Sequence, residues 1–127
     1  MTQRWIVDAM NVIGSRPDGW WKDRRQAMVK LVDQLERWAP GQDHRVTVVF
    51  EKPMSPPIDS SVIEIANAPR AAANSADDEI VRLVEADDQP QDLTVVTSDS
   101  ALSERVRNAG ASIFPAARFR DLIEPVR

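Results

Sequence analysis

The stretch that decides the predicted fold is residues 4–11, RWIVDAMN. Its apolar run at residues 5–7 is typical of a buried strand, and the strand ends in Asp8 instead of another apolar residue. A charge at the rim of a core is costly unless it recruits a cation, a metal ion or hydrogen-bond donors. Asp8 also suits a turn, because Asp and Asn bond to their own backbone, and Asn11 three residues later fits that interpretation too. Taken alone, the strand end leaves both interpretations open.

Strand-like and helical patterns alternate along the rest of the chain. Runs of β-branched and apolar residues predict strands at 4–9, 46–50, 62–66, 93–97 and 112–114, the third of them at a sheet edge. Helical spacing predicts one helix from about residue 18 until Pro40 and Gly41 stop it, and others at 75–86, 100–108 and 116–123. Strands that alternate with helices favour an α/β fold, with a parallel sheet covered on both faces.

Composition limits the function classes. A chain of 127 residues fits a single domain, 1–127, and the lack of cysteine removes thiol and zinc-thiolate chemistry. No segment resembles a signal peptide or a membrane span, so we expect a soluble cytoplasmic protein without a membrane partner. The net charge of −4 disfavours nucleic-acid binding through bulk positive charge, although catalytic carboxylates count toward that total. A single histidine, His44, makes a Ser-His-Asp triad a poor fit.

Acidic residues follow the predicted strands at several places. Asp8, Glu51 and Asp99 each end a strand, and Asp77 begins a helix. Because ligands in open α/β sheets bind beyond the carboxyl ends of the strands, these acids are predicted to converge at one rim. Carboxylates without nearby His or Cys favour Mg²⁺ or Mn²⁺, as one ion or a pair. Such ions activate water and orient a phosphodiester.

Each acid also has a structural explanation. Asp77 and Asp78 complement a helix dipole, but Asp77 shares the inward face of Ile80 whereas Asp78 lies on a more exposed face. Asp99 could be only the N-cap of the next helix, unless a neighbouring serine takes that role. Glu51 could be a solvated loop residue. The spacing therefore makes Asp77 the better ligand of its pair and leaves Glu51 and Asp99 open.

Five motifs together resemble one family. They are WIVDAMNVIG at 5–14, VTVVFE at 46–51, NSADDEI at 74–80, VVTSDSAL at 95–102 and AGA at 109–111. In this order they are similar to the YacP-like NYN domain of the PIN-like nucleases, over nearly the whole chain. The resemblance implies an α/β/α sandwich with a central, mainly parallel sheet. It also implies a metal-dependent endoribonuclease that acts on mRNA in association with ribosomes.

The resemblance also suggests roles for individual residues. Asp8, Asp77 and Asp99 match the acids of the family's motifs, so they are the predicted catalytic residues and ligands of Mg²⁺ or Mn²⁺. The predicted supporting residues, which would orient carboxylates or add charge, are Asn11, Ser98, Asp78 and Glu51. Family members have an aspartate where this chain has Glu51. Position near the rim, and not the resemblance, predicts the RNA-binding residues Arg16, Lys22, Arg24, Arg25 and Arg70, with Trp20 or Trp21 stacking on bases. Alternatively, the basic residues at the start of the long helix form an ordinary solvent-exposed face.

Two alternative functions compete with the nuclease. A receiver-like phosphotransfer domain would need an acidic pair after the first strand and a lysine after the last one, whereas Ala-Met-Asn follows Asp8 and no lysine follows the strand at 112–114. A phosphatase of the haloacid-dehalogenase type would need Asp-x-Asp, and Met10 occupies the second acidic position. A non-catalytic PIN-like module that binds RNA or a protein partner stays open, because clustered acids indicate catalysis only statistically.

Overall fold

The centre of the sheet is β1 (Gln3–Asp8) in the computed structural model, which describes residues 3–41, 44–69 and 75–124. The other strands are β2 (His44–Phe50), β3 (Glu64–Asn67), β4 (Leu93–Val96) and β5 (Ser112–Phe114). All four pairings are parallel, and the strands lie in the order β3-β2-β1-β4-β5. The predicted α/β fold with a parallel sheet, and with its third strand at an edge, is therefore confirmed.

Helices cover both faces of the sheet. They are α1 (Ala9–Ile13), α2 (Arg24–Gly41), α3 (Ser75–Ala86), α4 (Ser100–Asn108) and α5 (Ala116–Ile123). Trp5 and Val7 of β1 belong to the core shared with α1, α2 and α5, whereas Ile6 belongs to the core shared with α3 and α4. Because side chains alternate along a strand, Asp8 shares the face of Ile6. No helix within the described residues is long and apolar enough to cross a membrane.

The chain reverses its direction of travel across the sheet next to β1. It runs from β1 outward through β2 to β3, then returns to place β4 on the other side of β1. Ligands of open α/β sheets bind at such a switch point, beyond the carboxyl ends of the strands. Asp8 ends β1 there, and Val7 pairs with Val96 of β4, which brings the residues after β4 beside Asp8.

Element boundaries differ from prediction mainly between β1 and β2. The predicted strand at 4–9 ends at Asp8, because Ala9 already begins the short helix α1. The long helix begins at Arg24 and not near residue 18, since the Asp23 carboxylate accepts a hydrogen bond from the Gln26 N–H and caps the helix there. A 3-10 turn at Trp20–Lys22 precedes it. The helices predicted at 75–86, 100–108 and 116–123 are confirmed.

Candidate active-site cleft

A cleft with a volume of about 300 Å³ opens at the carboxyl end of the sheet. Its lining residues are Asp8, Met10, Asn11, Glu51, Ser75, Ala76, Asp77 and Asp99. The three acids singled out from the sequence, together with Glu51 and Asn11, thus lie around one concavity. Their convergence follows from the topology, since β1, β2 and β4 end at this rim and α3 and α4 begin there.

Asp8 is the deepest carboxylate of the cleft. It is 6 % exposed, and its Oδ2 accepts a hydrogen bond of 3.0 Å from the Thr97 hydroxyl. The pKa of Asp8 is raised to about 6, chiefly by burial and in smaller part by repulsion from Asp77 and Asp99. The bonds donated by Thr97 and by the Asn11 backbone N–H lower the pKa of Asp8 in part. Asp8 is therefore a charge that its protein neighbours stabilise only partly.

Asp77 lies in the first turn of α3 and is half-buried. Burial raises its pKa, and so does repulsion from Asp99 and from Asp78. Arg105 of α4 acts in the opposite direction, because its positive charge lowers the pKa of Asp77. Asp77 and Asp99 thus face each other across the cleft with only partial compensation from a neighbouring cation.

Asp99 is the N-cap of α4. Its Oδ1 accepts a hydrogen bond of 2.8 Å from the Leu102 N–H, and its own N–H donates to the Thr97 hydroxyl oxygen. Of the alternatives left open by the sequence, the structure shows Asp99 itself in the capping role. Ser98 does not cap α4, since its hydroxyl accepts a hydrogen bond from the Ala116 N–H at the start of α5. The cap leaves Oδ2 of Asp99 without a hydrogen bond among the described residues.

Asn11 joins α1 to the loop after β4. Its Oδ1 accepts a bond of 2.7 Å from the Ser98 N–H, and its backbone N–H lowers the pKa of Asp8. Thr97 completes this arrangement by donating to Asp8 while accepting from Asp99. Sequence reasoning missed Thr97 because a threonine at the end of a β-strand is unremarkable on propensity alone. Its position directly before the Ser98-Asp99 pair was the available signal.

Glu51 and Asp78 are both paired with arginines. Glu51 lines the cleft and accepts a hydrogen bond of 2.7 Å from Arg24. Asp78 is outside the cleft lining, its side chain is 67 % exposed, and it accepts a bond of 3.0 Å from Arg105. Arg105 was not predicted as part of the site, although it now lies close enough to act on both Asp77 and Asp78. The sequence offered no signal for it, because its proximity depends on how α3 packs against α4.

The predicted RNA-binding cations have different surroundings. Arg24 bonds to Glu51, and its guanidinium lies 5.7 Å from the centre of the Trp20 ring. Lys22 is exposed in the 3-10 turn before α2. Arg25 donates to the Pro56 carbonyl. These side chains lie outside the cleft lining, with Arg24 linked to it through Glu51.

Arg16 and Arg70 are not assembled at the cleft by the described structure. Arg16 is paired with Asp121 and with Glu124 near the end of α5, which fits a structural role in holding the loop after α1 to that helix. Arg70, with residues 71–74 of the predicted loop, lies outside the described residues.

The donor set suits a hard divalent cation. The cleft offers carboxylate oxygens and no thiolate or imidazole, and repulsion among Asp8, Asp77 and Asp99 would be relieved by positive charge. Within the residues that the structure describes, however, no three carboxylates, histidines or cysteines form a group that could already hold a metal ion. The acids therefore match such an ion in donor chemistry and in location, and they do not form a ready-made binding group.

Comparisons with known proteins agree with this fold. The sequence model of the YacP-like NYN domain matches residues 5–127. Two crystal structures of Rae1 (YacP) from Bacillus subtilis are similar, one of them a tryptophan-to-leucine variant. The variant structure has a TM-score of 0.77 and 22 % identity, covering 95 % of this chain and 76 % of that one. The other has a TM-score of 0.72 and 24 % identity, covering 94 % and 74 %. No curated protein matches the sequence.

Proposed function

This chain belongs to the YacP-like NYN domain family, and from that premise we propose that it is a metal-dependent endoribonuclease. The family and the nuclease-type fold support hydrolysis of RNA phosphodiester bonds. Cytoplasmic mRNA, engaged by a ribosome, is the proposed substrate. The single-domain organisation predicted for residues 1–127 is part of the same proposal.

The observation that carries the proposal is the state of Asp8. Asp8 is a buried carboxylate with a pKa raised to about 6, and it lies beside two further acids. Such an arrangement destabilises the fold at neutral pH, and arrangements of this kind are typical of functional sites. Acids that serve only the fold are usually paired, as Glu79 is with Arg82 on α3. Asp8 has instead the Thr97 hydroxyl and two acidic neighbours. A divalent cation would convert this repulsion into attraction.

Asp8, Asp77 and Asp99 are the proposed ligands of Mg²⁺ or Mn²⁺. When bound, one or two such ions would supply an activated water and would offset the charge of the reacting phosphate. Thr97 fixes the orientation of Asp8 through its hydrogen bond, and the Asn11 backbone N–H favours the charged form of Asp8. Arg105 limits the repulsion between Asp77 and Asp99. Glu51, held by Arg24, adds negative charge at the opposite lip of the cleft.

A non-catalytic module that binds RNA or a protein partner is the second candidate. It is favoured by one observation, namely that the acids in the described part of the chain do not already form a compact metal-binding group. Such a module would keep the fold and the acidic cleft but would not cut RNA. The two candidates therefore differ in one measurable property.

The test is cleavage of labelled RNA with Mn²⁺ or Mg²⁺, both as naked RNA and as mRNA on purified ribosomes. We expect products with either ion and none with EDTA or with Asp8→Asn. Asp87→Asn is the matched control, because Asp87 lies at the opposite end of the sheet, paired with Arg4. Cleavage by Asp8→Asn or in EDTA would overturn the mechanism. Intact RNA in both the naked and the ribosomal arms would favour the binding module.

A further inference from the structure

A second cavity lies on the other side of α1 from the acidic cleft. Its volume is about 220 Å³, which is small beside the roughly 300–1,000 Å³ of sites for drug-sized ligands and suits a single ring system. The lining residues are Val12, Ile13, Asp18, Gly19, Trp20, Asp23, Gln26, Ala27, Lys30, Leu31, Gln34 and Arg120. Aliphatic side chains and an indole thus alternate with polar groups, which is typical of sites for flat, polar-edged molecules.

The polar groups of this cavity fall into two sets. Arg120 serves the fold, since it donates to the Ile13 carbonyl at 2.8 Å and pairs with Asp18. The side-chain amides of Gln26 and Gln34 make no hydrogen bond among the described residues, so they are available to a ligand. Asp23 uses one oxygen to cap α2 and has its Oδ2 available as an acceptor.

The cavity is linked to the acidic cleft by two routes. Along α1, Asn11 lines the cleft while the next residue, Val12, lines the cavity. Across the surface, Trp20 of the cavity lies under the Arg24 guanidinium, which bonds to Glu51 of the cleft. A positive charge therefore stands between the two concavities, where a strand passing from one to the other would place a phosphate.

We propose that this cavity binds one base of the RNA strand, adjacent to the phosphate that the cleft receives. The inference rests on the proposed function and adds a base-recognition site to it. Trp20 supplies the aromatic surface for the base, and Arg24 exchanges part of its pairing with Glu51 for the phosphate between base and cleft. The amides of Gln26 and Gln34 bond to the base edge.

The same residues give the site a preference. The free carboxylate oxygen of Asp23 only accepts hydrogen bonds, so it favours bases that carry an amino group. Adenine and cytosine present an exocyclic amino group, whereas uracil presents only its ring N3–H, which lies between two carbonyl oxygens that a carboxylate repels. The cavity therefore selects oligoadenylate or oligocytidylate over oligouridylate.

The experiment measures binding of labelled eight-nucleotide oligoadenylate, oligocytidylate and oligouridylate in EDTA, so that no cleavage intervenes. We expect the wild-type protein to bind the first two about tenfold more tightly than oligouridylate. Ala27→Phe, which fills the cavity from α2, should weaken their binding about tenfold and abolish the preference. Gln34→Ala, a change that creates no steric demand, should reduce the preference by about threefold. The matched controls are Ala86→Phe at the far end of α3 and Gln91→Ala in the 3-10 turn before β4, both exposed and outside the cavity.

Two results would overturn the base site. One is equal affinity of the wild-type protein for all three oligonucleotides, and the other is a preference that survives in both cavity variants, with folding checked by circular dichroism. A parallel cleavage assay with Mn²⁺ separates this inference from the proposed function. Cleavage without a cavity-dependent preference would contradict the base site and would still support the nuclease. Cavity-dependent binding with no cleavage of either naked or ribosome-bound RNA would support the base site and contradict the nuclease.

Discussion

Two aspartates near opposite ends of β1 have opposite environments. Asp87 lies beside Arg4, near the start of the strand, and its carboxylate accepts hydrogen bonds from both terminal nitrogens of that guanidinium and from the Gln89 N–H. The Arg4 guanidinium lowers the pKa of Asp87. Asp8, at the other end, has a single hydroxyl donor in Thr97 and two acidic neighbours, and burial raises its pKa to about 6.

The two aspartates therefore affect folding with opposite signs. The lowered pKa of Asp87 means that its contribution to stability is present at neutral pH and is lost as the pH falls through its folded-state pKa. The raised pKa of Asp8 means that its stabilising contribution is present below about pH 3.8 and is lost as the pH rises through about 6. At neutral pH, Asp87 therefore stabilises the fold near the start of β1, and Asp8 destabilises it at the end of β1. Such losses of stability are commonly found at functional sites.

The largest expected effect separates two adjacent acids of α3. Asp77→Asn should lower kcat/KM for RNA cleavage by about a thousandfold, because it removes a ligand of the proposed metal ion. Asp78→Asn should change kcat/KM by less than about threefold, because Asp78 is exposed and paired with Arg105 outside the cleft lining. Steady-state kinetics on one labelled RNA measure both. Similar losses in the two variants would show that Asp77 is not the metal ligand of the pair.

Much of this contrast follows from local sequence. The helical spacing between Asp77 and Ile80 predicts that Asp77 faces inward and Asp78 does not. The structure agrees, because Asp77 lines the cleft and Asp78 lies outside it. The strands of the sheet could also be predicted from the sequence, since each is a short apolar run between helices with clear ends. Convergence of Asp8, Asp77 and Asp99 required only the rule that parallel strands end at one rim.

Other features depend on contacts that no local pattern encodes. The start of α2 was misplaced because Trp20 suits a helix, while the Asp23 cap that defines the start is decided by side-chain orientation. Arg105 influences Asp77 only through the packing of α3 on α4. The second cavity requires α1, α2 and α5 to come together, so residues such as Gln34 carried no signal in the sequence.

The second prediction concerns the gain in thermal stability when the proposed ion binds, which should be slightly smaller in free energy. Adding Mn²⁺ at about 100 times its dissociation constant should stabilise the wild-type protein by about 2.7 kcal/mol and raise its Tm by several degrees. Asp87→Asn should show the same increase in Tm, and Asp8→Asn should show almost none. Differential scanning fluorimetry across a Mn²⁺ titration measures this. Equal Mn²⁺-induced shifts in all three proteins would place the bound ion elsewhere.

In the absence of metal, removing the charge of Asp8 should stabilise the fold. The rise in pKa from 3.8 to about 6 corresponds to about 3 kcal/mol, and we expect Asp8→Asn to recover about 2 kcal/mol at pH 7.5, because the amide must still be buried. The gain should shrink as the pH falls from 6 to 4, where Asp8 takes up a proton and loses its charge. Urea unfolding in EDTA at several pH values measures it. A variant less stable than the wild type at pH 7.5 would contradict the assigned cause of the raised pKa.

The smallest effect belongs to the acid at the other end of β1. Asp87→Asn should destabilise the protein by about 1 kcal/mol at neutral pH, the upper range for a partly exposed ion pair with two-point geometry. The loss should diminish in high salt, which screens the pair, and it should disappear at low pH, where the wild-type carboxyl is itself neutral. Arg4→Gln should produce a similar loss, and the double variant should lose less than the sum of the two, since both remove the same interaction. Urea unfolding of the four proteins measures this coupling. Additive losses would mean that Asp87 acts mainly through its bond from the Gln89 N–H, and the contrast with Asp8 would then rest on a local turn instead of an ion pair across the sheet end.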